Sequence, residues 1–296
     1  MARNIAIALT SVFSLGIGGL GAVSAADLPV KARPMPVAVF SWTGCYVGAN
    51  VGWKGGRFRD ESANVPATTG TVPGIGTFTA PADNIFLDSF DANSAAAGGQ
   101  VGCRWQTAQN WVFGVEGDFD WTDLHGTVVN RGFGPGTTFV PGDFFDNRAR
   151  WESSARFIVG RSWDRLLVYG TGGVAFTEVS MTGNFVPTIG VFTNGRPGPY
   201  PGSTGSDSQV LVGGTIGAGL AYALNKNWEI GGEYRYTRYQ GADFGLGPVA
   251  GICGLTQVGV ACLNQNATGH KSLETNEVLL KLNYRFDWAG PVVAKC

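Results

Sequence analysis

Glu116, Asp118 and Asp120 place three carboxylates at alternate positions of one short stretch. Clustered acids can hold a cation, share a proton for acid–base work, or supply half of an ion-pair network. Which of these applies depends on where the chain points them. A helix scatters such residues around its surface, whereas a strand gathers them on one face. From Trp111 to Trp121 the period is two. Trp111, Phe113, Val115, Phe119 and Trp121 share one face, and Val112, Gly114, Glu116, Asp118 and Asp120 share the other. The spacing predicts a strand with an apolar front and an acidic back. In an enclosed interior an unpaired carboxylate is costly, so cations must meet these acids. Arg104, Arg156, Arg235, Lys281 and Arg285, with Glu233 as a further acid, fall on the more polar faces of other alternating stretches. Structural ion pairing is the expected role of the whole set.

Other reactive groups are sparse. His125 and His270 are the only histidines. Both fall in or beside long connecting segments, where a histidine is usually just solvated. Two histidines on outer loops could ligate haem iron. There is no Cys-x-x-Cys and no histidine pair at helical spacing, so a structural zinc site is not indicated. Neither histidine has a matching serine or acid motif, and nucleophilic catalysis needs a nucleophile with a base in reach. No enzyme activity, metal or cofactor is expected. Of the five cysteines, Cys253 and Cys262 bracket a Gly-rich loop and are the easiest pair to close; Cys296 is left over. Gly16-x-Gly18-x-x-Gly21 matches a dinucleotide fingerprint only formally, because no strand precedes it. With a formal net charge of −1, the chain lacks the long-range attraction to phosphate that a nucleic-acid partner requires.

The elements that hold these residues follow from the ends and the composition. Arg3, the apolar run Ile5 to Leu20, and Val23-Ser24-Ala25-Ala26 form a secretory signal, with cleavage expected after Ala25 or Ala26. The remainder is rich in glycine (46 of 296) and tryptophan (nine), and only 15% of residues are charged. Soluble domains average about 7% glycine and about 25% charged residues. No later stretch reaches the ~18 apolar residues of a spanning helix. In hydrocarbon every backbone N–H and C=O must pair within the protein, so a strand protein there must be a closed barrel.

Alternation recurs in seven more segments. They lie near Gly44–Lys54, Asn93–Trp105, Ser153–Trp163, Leu166–Thr177, Gln209–Leu224, Trp228–Tyr236 and Glu277–Phe286. The segment from Leu166 is so apolar that its facing stays open. The links at Gln106–Asn110, Asp164–Arg165 and Asn225–Asn227 are short. Those near Gly55–Asp91, Asp123–Arg150, Glu178–Ser208 and Gln240–Leu273 are long and rich in Gly, Pro, Thr and Asn, as exposed outer loops are. Trp105, Trp111, Trp163 and Trp228 sit beside short turns, and Trp42 and Trp288 flank the outermost strands on the same side. Trp53, Trp121 and Trp151 sit beside long loops. The nine indoles thus form two girdles at headgroup level.

Ala26-Asp27-Leu28-Pro29-Val30-Lys31, Trp42-Thr43-Gly44-Cys45-Tyr46-Val47-Gly48, Leu166-Leu167-Val168-Tyr169-Gly170-Thr171-Gly172-Gly173-Val174-Ala175 and Asn283-Tyr284-Arg285-Phe286 resemble the small outer-membrane barrels of alphaproteobacteria. These form a surface-antigen and porin family distantly like OmpA. The likeness covers essentially the whole chain after the signal. It implies an eight-stranded barrel that contributes to envelope integrity and presents surface loops; some relatives are porins, and some bind haemin or act as adhesins. The chain departs from the pattern at Cys45 and Cys103, where aromatics are usual. If the first two strands pair around the first long loop, 45 and 103 lie roughly opposite. A cross-strand disulfide near the periplasmic rim and two separate thiols both stay open.

The expected fold is all-β: an eight-stranded antiparallel up-and-down transmembrane barrel with long outer loops. Residues 1–25 are the signal peptide, 26–41 a Pro-rich periplasmic linker, 42–288 the barrel and 289–296 a C-terminal tail. The expected location is the outer membrane, after export through the periplasm. The expected partners are outer-membrane lipid and the barrel-assembly machinery, with the cell wall or a host surface as further candidates. The expected function is structural and surface-exposed, with limited porin-like transport as a lesser activity. The alternative is loop-mediated binding of haemin or a host surface.

Overall fold

A computed structural model of the protein describes residues 40–72, 76–86, 89–132, 139–191, 197–256 and 259–286. The expected cleavage at Ala25 or Ala26, nearly all of the linker, Trp288 and the tail lie outside the described residues. The strands in chain order are β1 (Gly44–Val65), β2 (Thr68–Val72), β3 (Gly76–Ala80), β4 (Asp83–Phe86), β5 (Phe90–Gln106), β6 (Trp111–Val129), β7 (Phe144–Trp163), β8 (Leu166–Phe185), β9 (Thr188–Val191), β10 (Pro197–Tyr200), β11 (Ser203–Ala223), β12 (Trp228–Tyr239), β13 (Ala242–Thr256) and β14 (Gly259–Arg285). Eight of these form the wall. β1, β5, β6, β7, β8, β11, β12 and β14 pair antiparallel in sequence, and β14 closes back on β1 from Tyr46↔Arg285 to Asn64↔Thr268. The fold is the eight-stranded up-and-down barrel that the alternation required.

The apolar front of each strand faces outward. Val47, Val51, Val101, Phe113, Phe157, Ile216, Leu220, Leu280 and Leu282 are all exposed on the outer wall. A soluble protein could not leave such a continuous apolar band in water; here hydrocarbon covers it. The facing of β8 is now fixed. Leu166, Val168 and Val174 point outward, and Leu167, Tyr169 and Thr171 point in.

The outer segments differ from the expected loops. About ten residues suffice to cross the bilayer, yet β14 has 27 residues and β7 and β8 have 20 each. The strands run on past the membrane as paired hairpins. β2–β3, β9–β10 and the β13–β14 pairing occupy much of what composition suggested was irregular. The physical reason is visible at Gly56 and Gly126. A Cβ at either position would collide with the side chain of Leu124 or Phe90. These glycines make room for large inward side chains within a ladder rather than marking turns.

Trp42 also departs from expectation. It belongs to no girdle but is fully buried inside the periplasmic mouth. Its indole Nε1 donates to the Asp164 carbonyl at 3.1 Å, and its main-chain N–H donates to Gln106 Oε1 at 2.7 Å. Gly44 adopts φ +146°, a backbone conformation that L side chains rarely enter. That glycine is the first residue of β1, next to the segment carrying Trp42 inward. Removing a packed indole leaves a cavity, so Trp42→Ala should cost about 3–5 kcal/mol. Trp121→Ala, on the lipid face, should cost clearly less. Urea unfolding of bilayer-inserted protein measures both, and equal losses would contradict an interior Trp42.

Candidate functional site

Each strand sends its polar side chains into the lumen, and the lumen of an eight-stranded barrel is just wide enough for side chains to fill. Its centre is a buried ionic layer. Arg156 of β7 reaches Glu116 Oε1 of β6 at 2.6 Å and also engages Asp118, and it crosses the lumen to Glu233 on β12. Lys281 of β14 approaches Glu116 at 2.6 Å and Glu233 at 3.0 Å. Two phenols complete these acids. Tyr46 Oη donates to Glu116 at 2.6 Å, and Tyr169 Oη donates to Glu233 at 2.8 Å. Towards the outer side Arg235 lies 3.2 Å from Asp118 and 3.4 Å from both Glu152 and Glu277. Lys54 pairs with the same two glutamates. Towards the periplasm Arg104 meets Glu229 at 2.7 Å and lies 4.1 Å from the centre of the Tyr46 ring.

The structure therefore brings Arg104, Glu116, Asp118, Arg156, Glu233, Arg235 and Lys281 into one interior. Asp120 joins at its edge, accepting from Asn50 Nδ2 at 2.8 Å and lying 3.6 Å from Arg235. Arg285 sits below, at the mouth. It donates to the carbonyls of Ser41 and Lys226, and its guanidinium covers Phe40. Lys54, Glu152, Glu229, Glu277 and the two phenols were missing from the sequence-derived set. Lys54 continues the inward parity of β1 and was within reach. Glu152 shares the inward parity of Ser154 and Arg156 and was within reach too; the bulge between Ala149 and Glu152 moves the inward face only beyond it.

Apolar layers close the lumen on both sides of the ionic one. On the periplasmic side Trp42, Val112, Ile158, Leu167, Tyr169, Ala221 and Ala223 pack together, with Phe40 against them. On the outer side a larger cluster includes Phe58, Leu124, Phe139, Phe145, Met181, Phe185, Phe244 and Leu273. The interior is thus ionic chiefly in its middle layer.

The two histidines stand apart from this interior and from each other. His125 of β6 is largely exposed and lies 3.7 Å from Asp123. His270 of β14 hydrogen-bonds Asp243 at 2.7 Å. β1 and β5 lie between their strands. Among the described residues no three His, Cys, Asp or Glu side chains are grouped to hold a metal.

A family model described as the outer membrane protein beta-barrel domain matches residues 18–286. The chain belongs to that family. The 31 kDa outer-membrane immunogenic protein of Brucella melitensis biotype 1 is 30% identical over 238 residues, 77% of this chain and 87% of the relative. The 22 kDa outer membrane protein of Rhizobium leguminosarum bv. viciae is 30% identical over 158 residues, 53% of this chain and 59% of the relative. Among solved structures, Neisserial surface protein A matches 82% of this chain and 98% of its own at 13% identity, with a TM-score of 0.34. The location of this family member is the outer membrane.

Within this outer-membrane barrel two disulfides lie at opposite ends of the wall. Cys45 and Cys103 pair across β1 and β5 near the periplasmic rim, joining residues 58 apart. Cys253 and Cys262 pair across the β13–β14 hairpin on the outer side. Peptide mapping without reductant should recover 45 linked to 103 and 253 linked to 262, each two hydrogens lighter than the free thiols.

The crossing cation gives a second test. Arg156→Ala leaves Glu116 and Glu233 short of a partner in a buried interior, at a cost of about 3–5 kcal/mol. Adding Glu233→Gln should recover part of that loss, as coupled neighbours do. Urea midpoints of the single and double variants read the coupling; simple additivity would show that the two residues do not interact.

Proposed function

We propose that the protein is a closed structural barrel of the outer membrane, supporting envelope integrity and holding its long hairpins at the cell surface. The observation that carries this reading is the lumen, filled in three successive layers. Trp42 and its apolar neighbours occupy the periplasmic mouth, the Arg156 network the middle and the Phe145 cluster the outer end. Any ion crossing would have to break buried charge pairs and pass two apolar layers, and an uncompensated charge in such surroundings is costly. The proposed partners are the surrounding lipid and, during biogenesis, the assembly machinery that receives barrel strands. Porin-like transport is at most a minor activity on this reading.

Conductance in planar bilayers tests it. The intact protein should insert without stable current steps, and regular steps from the unmodified barrel would overturn the closed reading. Removing the plug and the crossbar together, Trp42→Ala with Arg156→Ala, should create a path. Among the described residues of the middle ionic layer, leaving aside Lys271 in the outer layer and Arg285 at the mouth, the buried acids Glu116, Asp118, Asp120, Glu152, Glu229, Glu233 and Glu277 outnumber Lys54, Arg104, Arg156, Arg235 and Lys281, seven to five, before Arg156 is removed. Current through the double variant should therefore be cation-selective, as reversal potentials in a salt gradient will show.

A further inference from the structure

The outward wall of β14 changes chemistry along its length. Every second residue faces the same side of a strand. Read away from the periplasm, that side presents Tyr284, Leu282, Leu280 and Val278, then Asn276 and Glu274, then Ser272, His270, Thr268 and Asn266. Its neighbour β1 follows the same order: Val47, Val51 and Trp53, then Arg57 and Arg59, then Ser62 and Asn64. The bulge after Arg59 keeps the two walls in step, because Arg59 pairs with Ser272 and Ser62 with His270.

The middle zone carries three arginines. Arg238 of β12 and Arg57 of β1 both pair in register with Glu274, and Arg59 lies just beyond. Glu274 is nearly covered, 3.0 Å from Arg59 and 3.6 Å from Arg238, while Arg57 faces Asp91 at 3.7 Å. Among the described side chains three guanidiniums thus meet two carboxylates, and the guanidiniums remain about half exposed or more. Each carries five donors in a planar fork suited to phosphate, so donors are left over on the outward side.

The third zone is neutral and polar. β4 joins the wall there, with Asn84 opposite Asn64 and Phe86 opposite Ser62. Asn64, Asn84, Asn266 and Thr268, with Pro66, line a cleft of about 550 Å³. Phe86 beside it is 84% exposed. Amide groups and hydroxyls both donate and accept, matching sugar hydroxyls. A bare aromatic face suits the apolar side of a sugar ring.

We propose that this strip binds a phosphorylated glycolipid of the outer leaflet. Its acyl chains lie along Val51, Val278 and Leu280, its phosphate meets Arg57, Arg59 and Arg238, and its saccharide enters the cleft beside Phe86. The order and spacing of the zones argue for this occupant. Val278 to Glu274 is ~13 Å of strand and Glu274 to Asn266 a further ~27 Å. With strands tilted by about 40°, these become roughly 10 Å and 20 Å of height. A soluble glycan would leave the arginine zone unused, and a simple anionic phospholipid would leave the amide cleft unused. A molecule with acyl chain, phosphate and sugar stacked in that sequence covers all three.

Native mass spectrometry of the folded full-length barrel, titrated with purified lipopolysaccharide, tests the proposal. Three further ligands complete the set: the same lipopolysaccharide after phosphatase treatment, its sugar-trimmed lipid core, and phosphatidylglycerol. Arg59→Gln with Arg238→Gln should weaken lipopolysaccharide about tenfold or more, the size expected from losing two charge-assisted contacts. Arg148→Gln, an exposed arginine on the β7 side of the wall, should leave binding unchanged. Phe86→Ala should weaken lipopolysaccharide severalfold and leave the sugar-trimmed core untouched. Heat-modifiable migration on gels confirms that each variant is folded. The proposal is overturned by equal losses in the Arg148 variant, by phosphatase treatment without effect, by Phe86→Ala without effect, or by phosphatidylglycerol binding as tightly as lipopolysaccharide.

Discussion

Backbone hydrogen bonding in hydrocarbon constrains everything else in this molecule. An open edge within the bilayer would leave a row of N–H and C=O groups unpaired, each at a cost of several kcal/mol. The pairing of β14 with β1 removes that edge, and its register runs unbroken from Tyr46↔Arg285 to Arg59↔Ser272. Once closure is required, parity is fixed for all eight strands together. A one-residue slip anywhere would turn a line of charges toward lipid and a line of valines and leucines inward. The ionic layer depends on this closure. Arg156 can span from Glu116 to Glu233 only because β7, β6 and β12 are held around one narrow interior.

Buried ion pairs are often no more stabilising than apolar packing of the same volume. Their value in the membrane zone is directional. With apolar residues on both faces, a strand would have no preference for which side met lipid. Glu277, Lys281 and Asn283 between Val278, Leu280 and Leu282 remove that ambiguity on β14. The same device is repeated by Glu116 and Asp118 on β6 and by Glu233 and Arg235 on β12. The phenols of Tyr46 and Tyr169 add donors where the cations alone would leave carboxylate oxygens short of partners.

Much of this was legible in the sequence, because period two is a direct consequence of strand geometry. The faces of Trp111–Trp121, the number of wall strands and most of the interior charges follow from it without knowledge of contacts. What alternation alone could not supply was anything set by a local break in the period. The bulge between Ala149 and Glu152 moves the inward face of β7 onto Phe145, Asn147 and Ala149, and the positive φ at Gly44 lies beside the segment that carries Trp42 into the mouth rather than the girdle. The outer hairpins were misread for a different reason. Glycine serves there as space beneath Leu124 and Phe90, and composition does not distinguish that use from a turn. The facing of β8 was ambiguous because Leu166–Val168 offers apolar residues to both faces. Tyr169 decides the facing, and it does so through an acid 64 positions away.

The hairpins and the wall finally obey one rule with its sign reversed. On β14 the membrane zone has Val278 and Leu280 outside and Glu277 and Lys281 inside. Beyond the arginine zone the same outward parity carries His270 and Thr268, and the inward parity carries Leu273 and Ala267. No change of register accompanies the reversal on this strand; only the solvent facing it has changed. In hydrocarbon the apolar side goes out and charge is sheltered within, whereas in water burial of apolar surface drives the opposite choice. The Phe145 cluster is therefore an ordinary hydrophobic core, built by the strands as they leave the bilayer. It couples the hairpins to the barrel as one folded unit, so the surface elements are held by the same cooperative packing as the wall.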